Sequence, residues 1–311
     1  MPLSWQPWLK NCRHSLTAYR VKAQQTLMWQ SLSTHRKGLL LVSLSALLFS
    51  TPGLFTRAVA ASGWDVIFWR GFFGILFTLA FMAWRGDLRG QFARFGGSGW
   101  INAALWATGT IAYLQAYKLT TIADVSLIYG SAPIMAALVG WFYFGERPRN
   151  IVLGASLLAL TGVAIIGGGS LGSNHLLGDA LALWMTVTVA ISFALFRKFP
   201  QTPAAATAIL ASMLAMFPSA ALGNPLQVPS SEIIILAAFG AVFSSASLLL
   251  AEGSKLLPAG ETALVSNLEV PLQPALAWMI FSELPAKATF IGGVLILLAI
   301  AASTRPFRAR T

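Results

Sequence analysis

Ten runs of predominantly apolar residues follow one another along this chain, near 39–61, 64–84, 99–117, 123–143, 150–168, 177–197, 203–222, 232–251, 259–281 and 286–303. A bilayer core of ~30 Å needs about 20 helical residues to cross it, and these runs are long enough. They are too long and too continuously apolar for barrel strands of ~9–11 alternating residues. The connections between them are short, so no soluble domain is inserted. Only 10% of the residues are charged, against roughly 25% in soluble domains, and the mean hydropathy is +0.70. The solvent for most of this surface is lipid.

The formal net charge of +11 falls outside the apolar runs, which assigns it to membrane orientation and not to nucleic-acid binding. Cytoplasmic loops concentrate Lys and Arg. With the N-terminus inside, seventeen basic residues fall on the inner side and three (Arg57, Lys118, Lys287) on the outer, with Arg70 left inside a run. Both termini are therefore expected in the cytoplasm. The single cysteine, Cys12, excludes an internal disulfide framework, and three scattered histidines (His14, His35, His175) make no metal cluster. Neither a metal nor a cofactor is expected.

The expected organisation is a basic cytoplasmic tail over 1–37, five helices over 38–168, a linker over 169–176, five helices over 177–303 and a basic end over 304–311. The first tail carries Trp5, Trp8 and Trp29 without an apolar run, which suits the lipid surface, a disordered segment or a start codon placed too early, and not a cleaved signal peptide. A chain opened at Met28 is expected to insert normally, since the repeat described next begins after it.

Shifted by 137 residues, KLTTIADVSLIYGSAPIMAALVGWFYFGERP (118–148) lies over KLLPAGETALVSNLEVPLQPALAWMIFSELP (255–285). Lys118/Lys255, Leu119/Leu256, Leu127/Leu264, Trp141/Trp278, Phe144/Phe281, Glu146/Glu283 and Pro148/Pro285 are identical, while Pro133 meets Val270 with the proline displaced to Pro271. The shift maps the fourth run onto the ninth, giving five helices in each half. Five is odd, so the second half is inverted in the membrane. Inverted repeats recur in secondary transporters, where exchanging the conformations of the halves exchanges inward-open and outward-open states.

With its basic tail and ten spans in two similar halves, the chain resembles the drug/metabolite transporter (DMT) superfamily, EamA type, over roughly 38–303. The segment LPAGETALVSNLEVPLQPALAWMIFSELP (257–285) is the most specific, and Ser282 stands where that family often has Gly. The resemblance implies a bacterial inner-membrane carrier for amino acids or related metabolites, and the expected direction is export. It also implies a cavity lined by helices 1, 3, 4, 6, 8 and 9.

No Ser/His/Asp group, Walker loop or paired carboxylates emerge; what stands out is polarity inside the runs. Glu269 lies ten residues into the ninth run, ~15 Å deep at 1.5 Å per residue. An ionisable group there normally faces a cavity or a partner. Thr262, Ser266, Glu269 and Gln273 follow 4-3-4 spacing and share one helical face, a substrate surface or an interhelical hydrogen-bonding seam. Arg70, six residues into the second run and ~9 Å deep, has three outlets: snorkelling to the outer surface, pairing with a carboxylate, or holding an anionic group. A peripheral second helix, as in the family, favours the first two. Asn102, Trp106, Thr110, Tyr113 and Tyr117 share a face of the third run, and Trp184, Thr188 and Ser192 one of the sixth. Aromatic bodies with polar tips suit an amphipathic ligand, and equally helix packing near the interfaces. Pro52, Pro133, Pro271 and Pro274 are hinge candidates, since each removes an intrahelical hydrogen bond. The expected partners are a small-molecule substrate, lipid, and protons or a counter-substrate. A membrane-embedded enzyme on a lipid-linked substrate and a passive channel are the competing readings. The first lacks a cluster of nucleophiles or metal ligands, and the second does not need inverted halves.

Overall fold

Residues 32–120, 125, 128–167, 176–282 and 287–303 are described by a computed structural model, and these residues are helical apart from their connections. Gly38–Thr311 form one compact unit and Met1–Lys37 another, of which only residues 32–37 are described. The helices are α1 (Thr34–Phe49), α2 (Pro52–Arg57), α3 (Gly63–Arg85), α4 (Leu88–Ala93), α5 (Gly97–Leu119), α6 (Ala132–Phe144) and α7 (Asn150–Gly167). After the linker come α8 (Leu176–Lys198), α9 (Ala204–Leu222), α10 (Ser230–Ser254), α11 (Ala259–Ser266), α12 (Glu269–Phe281) and α13 (Lys287–Ser303).

Among the described residues, five helical stretches are long and apolar enough to cross a membrane by length and composition: Thr34–Thr56, Gly63–Arg85, Leu176–Lys198, Ala204–Leu222 and Ser230–Ser254. Three shorter apolar helices accompany them. The sequence leads one to expect ten spans, and two physical causes account for part of the difference. Helix α5 is 23 residues long, but Asn102, Gln115, Thr108 and Thr110 dilute its hydropathy. Prolines divide the fourth and ninth runs, while α7 and α13 count among the shorter apolar helices.

A proline ring clashes with the carbonyl four residues before it, so a helix ends short of that point. Pro52 is the first residue of α2 and follows a break at Ser50–Thr51; Pro133 is the second residue of α6 and follows a break at Ser131. The expected single helix over 259–281 is interrupted at Asn267–Leu268, and Asn267 carries the carbonyl that the Pro271 ring would meet. Pro271 is third in α12 and loses nothing, because the first four N–H groups of a helix have no partner within it. Pro274, by contrast, is inside α12. The breaks at Ser131 and Leu268 are 137 residues apart, the same shift that relates the two sequence segments. Glu283 and Pro285, the linker over 169–175 and the ends before 32 and after 303 lie outside the described residues.

The interior is built from small residues and the outside from large apolar ones, the reverse of a soluble protein. Phe217, Ile234 and Met279 are 72%, 76% and 77% exposed, and apolar exposure on this scale requires an apolar solvent. Inside, Ala155, Ala159 and Val163 of α7 meet Ile296 and Ala299 of α13 and Leu264 of α11. Small residues at such interfaces let backbones approach where lipid removes the hydrophobic drive between helices. Polar contacts then tie the helix ends in two groups. At one end, the Thr120 hydroxyl donates to Asp179 (2.7 Å), the Asn224 N–H to Asp65 (2.7 Å), and the Ala60 and Ala61 N–H groups to Glu232. At the other, Ser98 and Thr202 share a hydrogen bond of 2.7 Å, and Arg197 bridges to Glu146 (3.2 Å) while donating to the Lys255 carbonyl (3.1 Å). The short helix α4, in the connection after α3, is not anticipated by the apolar runs. The Asp87–Arg94 ion pair, at 2.7 Å, spans it.

Candidate functional site

Three polar places stand out in the bundle. The first is the interrupted helix pair. Glu269 opens α12 directly after the break, half-buried, and the Tyr129 hydroxyl donates to its carboxylate. Tyr129 comes from the helical turn just before the Ser131 break, so the contact joins the two interruptions. Asn267, in the break itself, is fully buried, and both polar atoms of its side chain lack partners among the described residues. The polar face expected along 262–273 is not continuous. The Thr262 hydroxyl donates to the Pro258 carbonyl (3.1 Å) and Ser266 to the Thr262 carbonyl (2.9 Å). Both are occupied within α11, on the far side of the break from Glu269 and the half-buried Gln273.

The second is a small cavity between α3, α5, α9 and α10. Arg70, about 10 Å along α3 at 1.5 Å per residue, is only 8% exposed, so it does not snorkel. It has no ion pair among the described residues either, which corrects both favoured outlets. Its guanidinium lies 3.8 Å from the ring centroid of Phe243 and 5.6 Å from that of Phe239, and Tyr113 interacts with it electrostatically. An arginine at mid-helix costs ~2.5–3.5 kcal/mol on insertion scales, and cation–π stacking returns ~2 kcal/mol when desolvated. Trp106 and Thr110 line the same cavity. Trp106 also packs edge-on against Phe196, 6.2 Å between centroids, and joins the core around Tyr129 and Val265. One turn earlier on this face, Asn102 is fully buried, with neither polar atom partnered among the described residues. The side chain of Tyr117 lies outside the described residues.

On α8 the expected face divides. Thr188 and Ser192 are buried; the Thr188 hydroxyl donates to the Met185 carbonyl (2.7 Å) and packs on Gly109. Trp184 is 49% exposed and lines neither cavity described here.

The third place is a larger cavity, about 280 Å³, bordered by Arg147, Arg149, Arg197, Glu146 and Glu261. Glu261 is 2% exposed. Sequence reasoning counted these arginines only as topological charge and Glu146 only as a repeat marker. The shared 137-residue offset of Glu146 and Glu283 was the available signal that this loop matters. Phe239 and Phe243 were missed too; their four-residue spacing, which puts both on one helical face, was the only hint.

A bundle of apolar helices with small residues inside, interrupted helices and buried unpaired polar groups defines a multi-pass α-helical membrane protein. The sequence profile of the EamA-like transporter family matches residues 36–168 and again 176–305. The chain therefore belongs to the EamA-like transporter family, within the DMT superfamily, and its general function is transport across a membrane. A protein of known crystal structure shares the fold, with a TM-score of 0.77 and 20% identity over 87% of this chain and 98% of its own. No curated protein matches the chain.

Proposed function

We propose that this protein is a secondary carrier of an amino acid or related metabolite, acting by alternating access in the bacterial inner membrane, in the export direction. In this reading the chain crosses ten times as two five-helix repeats of opposite orientation, 38–168 and 177–303, with both termini in the cytoplasm. The observation that carries it is the pair of helix breaks at Ser131 and Leu268, joined by the hydrogen bond from Tyr129 to Glu269. Equivalent breaks in the two halves give equivalent places to bend, and bending one while straightening the other exchanges the open side. Glu269 serves as the site where a proton and a substrate ammonium alternate. Its repeat counterpart, Ala132, carries no charge, so one ionisable group serves both access states. The Arg197–Glu146 bridge ties the cytoplasmic ends of α8 and α6.

Purified protein in liposomes, with no partner, should give saturable flux that an opposing gradient of the same substrate accelerates. Screening radiolabelled amino acids identifies the substrate; flux that rises linearly without saturation would make the protein a channel. Sidedness has its own test. In a chain with Cys12 replaced by Ser, Gln201→Cys and Gln227→Cys place thiols on exposed residues of successive connections. An impermeant maleimide added to whole cells should label position 227 and leave position 201 unlabelled. Labelling of both, or of 201 alone, removes the proposed orientation.

A further inference from the structure

Among the described residues, Arg70 is a buried cation without a counter-ion. Its neighbours sharpen the point. Hydroxyls inside apolar helices ordinarily satisfy themselves on the carbonyl three or four residues back, and here Thr78, Thr186, Thr188, Thr207, Ser219, Ser245 and Ser254 all do. Thr110, Ser212, Ser244 and Ser247 line the Arg70 cavity, and none of the four has a hydrogen bond among the described residues. The Ser247 oxygen is fully buried in that condition. A buried donor without an acceptor is costly, and the Ser247 hydroxyl, with three more unbonded hydroxyls around one cation, marks the place of a missing acceptor. No acidic residue lines the cavity.

We propose that this cavity receives a carboxylate of the transported molecule, with Arg70 supplying the charge and the surrounding hydroxyls donating to its oxygens. The inference rests on the carrier reading and names its substrate class. The cavity has room for such a group. It measures about 30 Å³; at ~10–15 Å³ for each water-sized group that is room for the two oxygens of a carboxylate. Trp106 forms one wall and reaches the core beside Tyr129, so a molecule held here by its carboxylate has an aromatic surface along its body. Phe239 and Phe243 stack on the guanidinium, so little rotamer freedom is left to lose on binding.

The test is thermal unfolding of the full chain in detergent, titrated with sodium benzoate against benzamide and sodium chloride at matched ionic strength. Ligand that binds only the native state raises the midpoint. Benzoate should raise it saturably while benzamide and chloride do not. Arg70→Lys should raise the half-saturating concentration about tenfold, since a point charge replaces a bidentate fork, and Arg70→Gln should abolish the response. Should Arg70→Gln fail to fold, the Ser244→Ala/Ser247→Ala double variant decides, with an expected loss of several-fold in benzoate sensitivity. Equal responses to benzoate and benzamide, or unchanged sensitivity in the variants, overturn the proposal. So does stabilisation seen only in phosphatidylglycerol nanodiscs and not with free benzoate, which would assign the site to a lipid headgroup. Liposome flux separates the two readings: a benzoate response without flux removes the carrier and keeps the site, and flux without a benzoate response does the reverse.

Discussion

Glu269→Gln should insert, purify and unfold like the parent protein while losing gradient-driven transport by about two orders of magnitude. The reasoning starts from shape. Gln has nearly the volume of Glu and keeps a carbonyl oxygen where the Tyr129 hydroxyl donates, so the contact across the two helix breaks survives. What disappears is the charge and the capacity to exchange a proton for a substrate ammonium. A charge-assisted hydrogen bond is worth up to ~3 kcal/mol, and ~1.4 kcal/mol is tenfold in an equilibrium. Tyr129→Phe makes the complementary change: the charge stays, one neutral donor goes, and flux should fall only several-fold. Liposome flux under an imposed pH gradient, with unfolding midpoints measured on the same preparations, separates the cases. If Glu269→Gln transports normally and answers the gradient as before, the carboxylate belongs to a packing seam and has no coupling role.

The apolar runs located most of the helices because in lipid the backbone has no alternative partner. The run at 64–84 became Gly63–Arg85, that at 177–197 became Leu176–Lys198, and that at 203–222 became Ala204–Leu222. What hydropathy does not carry is where a run is interrupted. Pro271 and Pro274 marked the ninth run as irregular, yet the break falls at Asn267–Leu268, because a proline acts on the carbonyl a turn before it. That displacement separated Ser266 from Glu269, which helical spacing had put on one face. The surroundings of Arg70 were illegible for a different reason. Its stacking partners, Phe239 and Phe243, are about 170 residues away in the chain, and only the packing of α10 on α3 brings them together. Asn102, Trp106 and Tyr113 were legible as a face, because three- and four-residue spacing survives in an unbroken helix.

The packing of α10 on α3 sets up the second large effect, at Gly240. A Cβ there would lie 2.8 Å from the Arg70 carbonyl oxygen, 2.8 Å from Phe73 Cβ and 2.9 Å from the Gly74 nitrogen. Two of these are backbone atoms, which no side-chain rotation can clear, so α10 must move away from α3. Overpacking of this kind typically costs ~1–3 kcal/mol, more than the ~1 kcal/mol that Ala gains over Gly in helix propensity. Gly240→Ala should therefore lower the unfolding midpoint, and Gly240→Leu should leave no folded protein to purify. Gly53→Ala is the control: nothing lies within 4 Å of a Cβ at that position, so the propensity gain stands alone and the midpoint should hold or rise. Because Phe239 and Phe243 flank Gly240 on the same helix, the separation that admits a methyl group also draws both rings from the Arg70 guanidinium. The Gly240→Ala protein should then show a weaker benzoate response along with its lower midpoint, whereas Gly53→Ala should keep the parent response. A Gly240→Ala protein as stable as the parent, with an unchanged benzoate response, would mean that α3 and α10 do not meet at this glycine and that the stacking on Arg70 is held by some other contact.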